Sequence, residues 1–280
     1  MNYLDKNILE KIQFYVTTKY PCGYINNQEA QSIVATPYKK IDTDQDNFFD
    51  NIKRLRDEGY YGLNITLPLK NSAFEICNQL SERSLLCKSV NTITFSDNNI
   101  IGDSTDGRGL VNDLFNKKIS IKGKTIFLVG AGGAANGAIY DLIQSKPKKI
   151  FITNRTFSKA IEMKEYWKLF AKKNQVILDA INLDFSNQLN FDLVINATSS
   201  SLTSQDSPIS GTTFNCLNNH GACYDMMYGS ETPFMKEAHK TSNSVYDGLG
   251  MLVEQAAASF NIWHQVSPST ELVREALKKL

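Results

Sequence analysis

Lys124-Thr-Ile-Phe-Leu-Val-Gly130-Ala131-Gly132-Gly133-Ala134-Ala135-Asn136 is the stretch that decides the fold. Ile126 to Val129 is an unbroken apolar run of strand length, as expected of a strand buried on both faces of a parallel sheet. Glycines follow at Gly130 and Gly132, a small residue at Ala135, and a helix is expected from Asn136 to about Gln144. The pattern is G-x-G-x-x-A, and each position has a physical reason. The first glycine makes the tight turn, and the second lets backbone approach a pyrophosphate. The third small residue lets helix pack on strand, and the helix N-terminus faces the phosphate charge. A turn with no ligand is the alternative. The strand before and the helix after favour a dinucleotide cradle at Gly130, Ala131, Gly132, Gly133 and Ala134.

The next strand, Lys149 to Thr153, bears on which dinucleotide is held. Where an NAD-binding unit ends this strand in Asp or Glu for the ribose hydroxyls, the chain reads Asn154-Arg155-Thr156, with Lys159 a turn later. A carboxylate there repels a 2′-phosphate and an arginine fork attracts one. The expectation is NADP(H), with a solvated loop cation as the alternative for Arg155.

Bulk composition bounds the rest. The chain has 280 residues, 42% of them apolar, with 30 basic against 29 acidic side chains. Near balance gives no electrostatic case for nucleic acid or a membrane surface. The cysteines Cys22, Cys77, Cys87, Cys216 and Cys223 are scattered, with no C-x-x-C pair, so neither a metal site nor a disulfide framework is expected. Asp5, Lys6 and Glu10 stand where a signal peptide needs an apolar run. The window from Ile126 to Ile143 is too polar for a membrane span. A cytoplasmic monomer or homodimer with reduced thiols is the expectation.

Strand–helix alternation fills residues 124 to 246. Strands are expected at 126–129, 149–153, 175–178, 192–197 and 222–226, with helices between, including Ser158 to Lys172. That is the pattern of an α/β, doubly wound parallel sheet. The front reads differently. A strand is possible at Phe14 to Thr17, and a helix is expected from Asp44 to Glu58 with Phe48, Ile52 and Leu55 on one face. A strand at Tyr60 to Thr66 and short helices at 71–77 and 81–87 follow. A hairpin is expected from Val90–Phe95 through Asp97-Asn98-Asn99 to Ile100-Ile101, then a helix from Asp106 to Phe115. Helices at 250–264 and 270–280 close the chain. The glycine loop starts mid-chain, so a substrate domain is expected first and a cofactor domain second.

Polar clusters flank the cofactor domain. In Asn64-Ile-Thr66-Leu-Pro68-Leu-Lys70 a strand ends at a proline and a lysine follows. A lysine with lowered pKa can move a proton beside a carbon that exchanges hydride, whereas an isolated lysine is ordinarily a surface cation. Ser89-Val-Asn91-Thr92 enters a strand. In Gly102-Asp-Ser104-Thr-Asp106-Gly107, Asp106 can equally cap the next helix.

Together these motifs resemble the shikimate dehydrogenase family, over residues from about Ile41 to the C-terminus. Asn64-Ile-Thr-Leu-Pro-Leu-Lys70 resembles its Asn-Val-Thr-x-Pro-x-Lys, Ser89-Val-Asn-Thr its Ala-Val-Asn-Thr, and Asp106-Gly107 the end of its Gly-x-Asn-Thr-Asp-Gly. Gly130-Ala-Gly-Gly-Ala134 and Asn154-Arg-Thr156 are similar to its NADP-binding segments. Asn196-Ala-Thr-Ser, Tyr224-Asp-Met-Met-Tyr228, Thr232-Pro-Phe and Asp247-Gly-Leu-Gly-Met-Leu-Val-Glu-Gln255 follow in family order.

The resemblance implies reversible, NADPH-dependent reduction of 3-dehydroshikimate to shikimate in aromatic amino-acid biosynthesis. It implies Lys70 and Asp106 as catalytic residues, Thr66, Asn91, Asp106, Tyr228 and Gln255 as substrate contacts, and Met226, Gly248 and Glu82 near the nicotinamide, with no metal. It also implies a substrate domain over 1–106, a Rossmann-type NADP-binding domain over 107–247, and C-terminal helices 248–280 returning to the first. Ser104 stands where the family has Asn, and Ser201 where a Gly is usual. The family's Gly-x-Pro-x-x-His-Ser-x-Ser-Pro loop, whose serines hold the substrate carboxylate, is missing. Residues about 10–40, from Gln13-Phe-Tyr-Val-Thr-Thr-Lys-Tyr-Pro-Cys-Gly-Tyr24 to Ala30-Gln-Ser-Ile-Val-Ala-Thr-Pro37, resemble instead the start of bacterial aminoacyl-tRNA–protein transferases. The hydroxyls of Thr17, Thr18 and Tyr20, with Lys19, are candidates to replace the serines. A quinate/shikimate-type enzyme and a weakly active NADP(H)-binding relative are the alternatives.

Overall fold

The computed structural model describes residues 41–185, 189–200, 205–242 and 244–277. The possible strand at Phe14 to Thr17, the transferase-like stretch, the hydroxyls of Thr17, Thr18 and Tyr20, Lys19, and Ser201 lie outside the described residues. The chain divides into two compact units: Asp106–Met251 is one, and residues up to Thr105 together with Leu252 onward are the other.

In the Asp106–Met251 unit the elements are α4 (Asp106–Asn116), β5 (Thr125–Val129), α5 (Gly133–Gln144), β6 (Lys149–Thr153), α6 (Phe157–Lys173), β7 (Ile177–Ala180), β8 (Phe191–Asn196), α7 (Gly211–Phe214), β9 (Leu217–Asp225), α8 (Pro233–Ala238) and β10 (Val245–Tyr246). The strands form one six-stranded sheet among the described residues, in the order β10-β9-β8-β5-β6-β7. Every pairing is parallel. Counting from β5, this is the doubly wound order with its reversal between β5 and β8. Phe127 and Val129 enter an apolar cluster with Phe151, Phe191, Val194, Phe214 and Phe234, and the Phe127 and Phe191 rings stack at 4.6 Å. Ile126 and Leu128, equally buried, alternate to the opposite face. Ala135 is fully buried, as the third small position of the glycine motif requires.

The structure corrects the strand expected at 175–178. Gln175 takes φ +62°, and the Asn174 and Val176 amides bond back to Phe170 and Ala171, so the helix end occupies the first two of those residues and β7 begins at Ile177. β9 begins at Leu217, earlier than expected, because residues 218–220 are exposed and only its second half is apolar. α8 was not expected. Its signal is Thr232-Pro233: Thr232 Oγ1 accepts from the Met235 amide at 3.2 Å and Pro233 fills the first turn.

The other unit holds α1 (Phe48–Asp57), β1 (Gly62–Asn64), α2 (Lys70–Ile76), β2 (Gln79–Leu80), α3 (Glu82–Cys87), β3 (Thr92–Ser96) and β4 (Asn99–Asp103), then α9 (Leu249–His264) from Leu252 onward and α10 (Glu271–Leu277). The expected hairpin forms as β3–β4, with Asp97 at φ +48° in its turn. The sheet order is β1-β3-β4-β2. Phe48, Ile52, Leu69, Ala73, Val90, Ile93, Phe95 and Ile100 make its core. α9 lies over β1 and β3: the Trp263 indole donates to the Ile93 carbonyl at 3.1 Å.

Gly62 makes this approach possible. A Cβ there would meet the Trp263 indole and stand 2.5 Å from the Ile93 carbonyl oxygen, a backbone atom that cannot swing aside. Gly62→Ala is therefore expected to lose about 1–3 kcal/mol of stability. Urea unfolding measures it, and a wild-type midpoint would contradict the seating of Trp263.

Candidate functional site

The turn after β5 is set by its neighbours. Val129 pairs in register with Asn196 of β8. The Gly130 amide donates to the Thr153 carbonyl of β6 at 2.8 Å, and Gly130 sits at φ +112°. A Cβ on Gly130 would lie 3.1 Å from the Ala197 carbonyl oxygen, so close approach and backbone conformation both call for glycine. Gly132 is extended and starts α5 with no capping side chain. The first helical bond runs from the Asn136 amide to the Gly132 carbonyl, which leaves the amides of Gly133, Ala134 and Ala135 without an intrahelical acceptor. Around Gly132 and Gly133 an added Cβ would meet nothing within 4 Å. The result is an open face of backbone donors at the positive end of a helix.

Asn154, at the end of β6, braces this turn: its Oδ1 accepts from the Ala131 amide at 3.2 Å and its Nδ2 donates to the Thr156 carbonyl at 2.9 Å. Arg155, Thr156 and Lys159 are exposed beside it. Neither Arg155 nor Lys159 makes an ion pair among the described residues, so both cations are available to an anion there.

Across the edge, Asn196 and Asp225 are fully buried at the ends of β8 and β9. Met226 donates its amide to the Asn196 carbonyl at 2.9 Å, and Gly248 donates to the Met227 carbonyl at 2.9 Å. A Cβ on Gly248 would strike the Met226 carbonyl. Met226 and Gly248, separated by 22 positions, thus meet, with Tyr228 half-buried next in the chain. Below them Asp113 of α4, wholly buried, accepts from the Tyr224 hydroxyl at 2.7 Å and from Lys117 at 2.8 Å. Burial, and Asp113 beside it, hold the Tyr224 phenol well above its ordinary range. Asp106 opens α4, where a carboxylate suits the helix dipole. Gly107 is small for a packing reason, since a Cβ would stand 2.8 Å from the Gly137 carbonyl oxygen of α5.

In the other unit Thr66 lies in the link from β1 to α2, which contains a cis Leu67–Pro68 bond, and Lys70 begins α2, half-buried. Asn91 and Gln255 are brought together: Asn91 Nδ2 donates to Gln255 Oε1 at 3.3 Å and to Thr105 Oγ1 at 3.0 Å. Asn91 Oδ1 accepts from the Thr105 amide and the Thr92 hydroxyl, each at 2.8 Å. Ser259 joins Thr92 at 2.8 Å and accepts from Asn64 at 3.0 Å. Thr105, Ser259 and Asn64 were not singled out as members of this network. Ser259 carried a readable signal, a polar residue four positions after Gln255 on a helix otherwise rich in alanine. Glu82 stands exposed in the first turn of α3, which Ser81 caps.

Among the described residues, no group of three or more His, Cys, Asp or Glu could hold a metal ion. No helix of the described residues is long and apolar enough to cross a membrane.

Family models match along the chain. Residues 24–93 match the shikimate dehydrogenase substrate binding domain, 110–206 the shikimate/quinate 5-dehydrogenase model, and 248–278 the shikimate 5′-dehydrogenase C-terminal domain. The first match begins at Tyr24, inside the transferase-like stretch. A protein of Methylobacillus flagellatus named shikimate dehydrogenase (NADP(+)) is 42% identical over 243 residues, 86% of this chain and 87% of that one. Among solved structures, an Ael1 enzyme from Pseudomonas putida is 34% identical at TM-score 0.77, covering 85% of each chain. A shikimate dehydrogenase in complex with NADP+ is 29% identical at TM-score 0.74, over 85% of this chain and 83% of that one.

The two glycines of the turn should differ in what they tolerate. Gly130→Ala forces a side chain into positive φ and is expected to lose about 1–3 kcal/mol of stability. Gly132→Ala, at φ −94° with open space around it, should leave the thermal midpoint nearly unchanged. Equal losses would contradict the geometry of the loop.

Proposed function

The chain belongs to the shikimate dehydrogenase family, a family of NADP(+)-linked oxidoreductases, and from that premise we propose that it reduces 3-dehydroshikimate to shikimate, reversibly, with NADPH. The observation that carries the cofactor half is the open face at Gly132 and Gly133 with the exposed cations Arg155 and Lys159 beside it. NADPH, when bound, supplies the hydride. The amides of Gly130 to Ala134 would hold its pyrophosphate, and Asn154, Arg155, Thr156 and Lys159 its 2′-phosphate. Met226 and Gly248 would face the nicotinamide, with Glu82 near it.

Residues 1–106 and 248–280 would form the substrate domain and 107–247 the cofactor domain. Lys70 would give a proton to the substrate's carbonyl oxygen as the carbon below it is reduced, and take it back in the reverse direction. Asp106 would accept a hydrogen bond at the same oxygen and fix its orientation. Thr66, Asn91, Tyr228 and Gln255 would orient the ring hydroxyls and carboxylate. Orientation plus one positioned proton is what a protein adds to hydride chemistry. A quinate enzyme using NAD is not favoured: β6 ends in Asn154-Arg155 rather than in a carboxylate, and relatives at about 40% identity carry NADP(+) in their names.

Following NADPH formation with shikimate, and then with quinate, tests the reading directly. Lys70→Ala should lower kcat and kcat/KM together, by about 10²- to 10⁴-fold, while NADPH binding survives. An unchanged kcat with a raised KM would make Lys70 a binding residue only. Arg155→Ala should weaken NADPH binding by roughly 10- to 150-fold and leave NADH nearly unaffected. Equal loss for both cofactors would remove the 2′-phosphate role.

A further inference from the structure

Asp225 has a place in none of the roles above, yet its side chain joins several segments at the cofactor edge. Its carboxylate is fully buried and accepts from donors on separate segments. Asn196 Nδ2, at the end of β8, reaches Oδ1 at 3.1 Å, and the Met227 amide reaches the same oxygen at 3.0 Å. The Thr232 hydroxyl, at the head of α8, reaches Oδ2 at 2.5 Å. Each donor passes the constraint on. Asn196 Oδ1 accepts from the Thr198 amide at 3.0 Å and its hydroxyl at 2.7 Å, and that hydroxyl meets Ser200 at 2.9 Å. Thr232 Oγ1 caps α8. The Met227 carbonyl accepts from Gly248 at 2.9 Å.

We infer that Asp225 is a positioning residue: its carboxylate locks the Met226–Tyr228 turn to the Asn196–Ser200 turn and to Gly248, and so sets the wall against which the nicotinamide half of NADP(H) lies. The inference rests on the cofactor reading above. The chemistry of the group fits the task, because an ionised carboxylate only accepts and satisfies all of these donors at once. No lysine or arginine pairs with it among the described residues. Burial pushes the Asp225 carboxyl above its ordinary value, Asp247 adds in the same direction, and the bonds from Thr232, Met227 and Asn196 oppose them. An apolar residue would avoid that desolvation but would leave the turns unjoined.

The test separates the two halves of the cofactor. The molecule 2′,5′-ADP carries the adenosine and the 2′-phosphate but no nicotinamide. In calorimetric titrations of the full chain, Asp225→Ala should weaken NADPH binding roughly 10-fold or more while 2′,5′-ADP affinity stays within about twofold of wild type. Asp225→Asn keeps an oxygen for Asn196 and Met227 and can turn its amide to Thr232, so its loss should be only roughly 3-fold, again confined to NADPH. Asp225→Asn also serves if the alanine variant fails to fold. Unchanged NADPH affinity in both variants, or equal loss of both probes, would overturn the positioning role. A wild-type chain that binds neither probe would remove the cofactor reading itself and this inference with it. A wild type that binds both, with a variant that loses both alike, removes only the positioning role.

Discussion

The level pairing of β5 with β8 is the constraint on which this edge of the molecule depends. Val129 and Asn196 stand opposite each other as the last residues of adjacent parallel strands. Right-handed crossovers carry the chain from β5 toward β6 and from β8 toward β9, in opposite directions, so the helices that follow lie on opposite faces. Such a reversal leaves the strand ends beside it uncovered by either helix, and open space surrounds Gly132 and Gly133. The same pairing brings the turns into contact, and Gly130 is the consequence: its Cβ would press on the Ala197 carbonyl while its φ lies in the left-handed half of the map. The tight turn at Gly130 and the open face at Gly132 and Gly133 thus both follow from the strand order.

Buried polar groups carry the rest of the arrangement. The Asp106–Met251 unit buries carboxylates. Asp113 takes a lysine and a phenol as partners, and Asp225 takes neutral donors alone. A buried carboxylate stripped of these partners would face the full desolvation penalty, several kcal/mol by general experience. The partners therefore fix the loops that supply them. In the other unit Asn91, Thr92, Thr105, Gln255 and Ser259 close into one network of neutral amides and hydroxyls, and the buried Glu254 carboxylate of α9 takes Thr270 and Arg274 as partners. The neutral network, with the Trp263 indole on the Ile93 carbonyl, joins α9 to the β3–β4 hairpin.

What the sequence disclosed follows from how local each feature is. The glycine turn, its strand and the lack of an acid after β6 are short-range patterns, and the structure has them where they were expected. α1 is likewise legible, since Phe48, Ile52 and Leu55 fall on one helical face and are buried. The errors came where local and tertiary signals conflict. Gln175 looked like strand because Val176, Ile177 and Leu178 follow it, but its residue serves the helix end. The first half of β9 is polar, so only its pairing with β8, Leu217 opposite Phe191, reveals it as strand. Only family likeness points to Asn91 and Gln255, and nothing in either local stretch announces that they bond to each other across 164 positions. Residues of that kind are invisible to periodicity, because the fold alone brings them together.

Charge poses the remaining question. A dinucleotide bearing a 2′-phosphate is strongly anionic, yet the chain has a formal net charge of only +1. Long-range steering by such a protein is weak, and beyond a Debye length, about 8 Å at physiological salt, salt would screen what there is. On the proposed reading, attraction must then be generated within contact distance. The glycine turn can supply part of it through amides that carry no formal charge, at the positive end of α5. On that reading Arg155 and Lys159 would supply the rest, as exposed cations free of ion pairs among the described residues. Other charges on this unit's surface are matched in part, as with Lys124 and Asp192 or Lys149 and Asp179. A nearly neutral protein can therefore hold a polyanion at one edge, provided that the donors there are prearranged by backbone geometry and unmatched cations lie beside them.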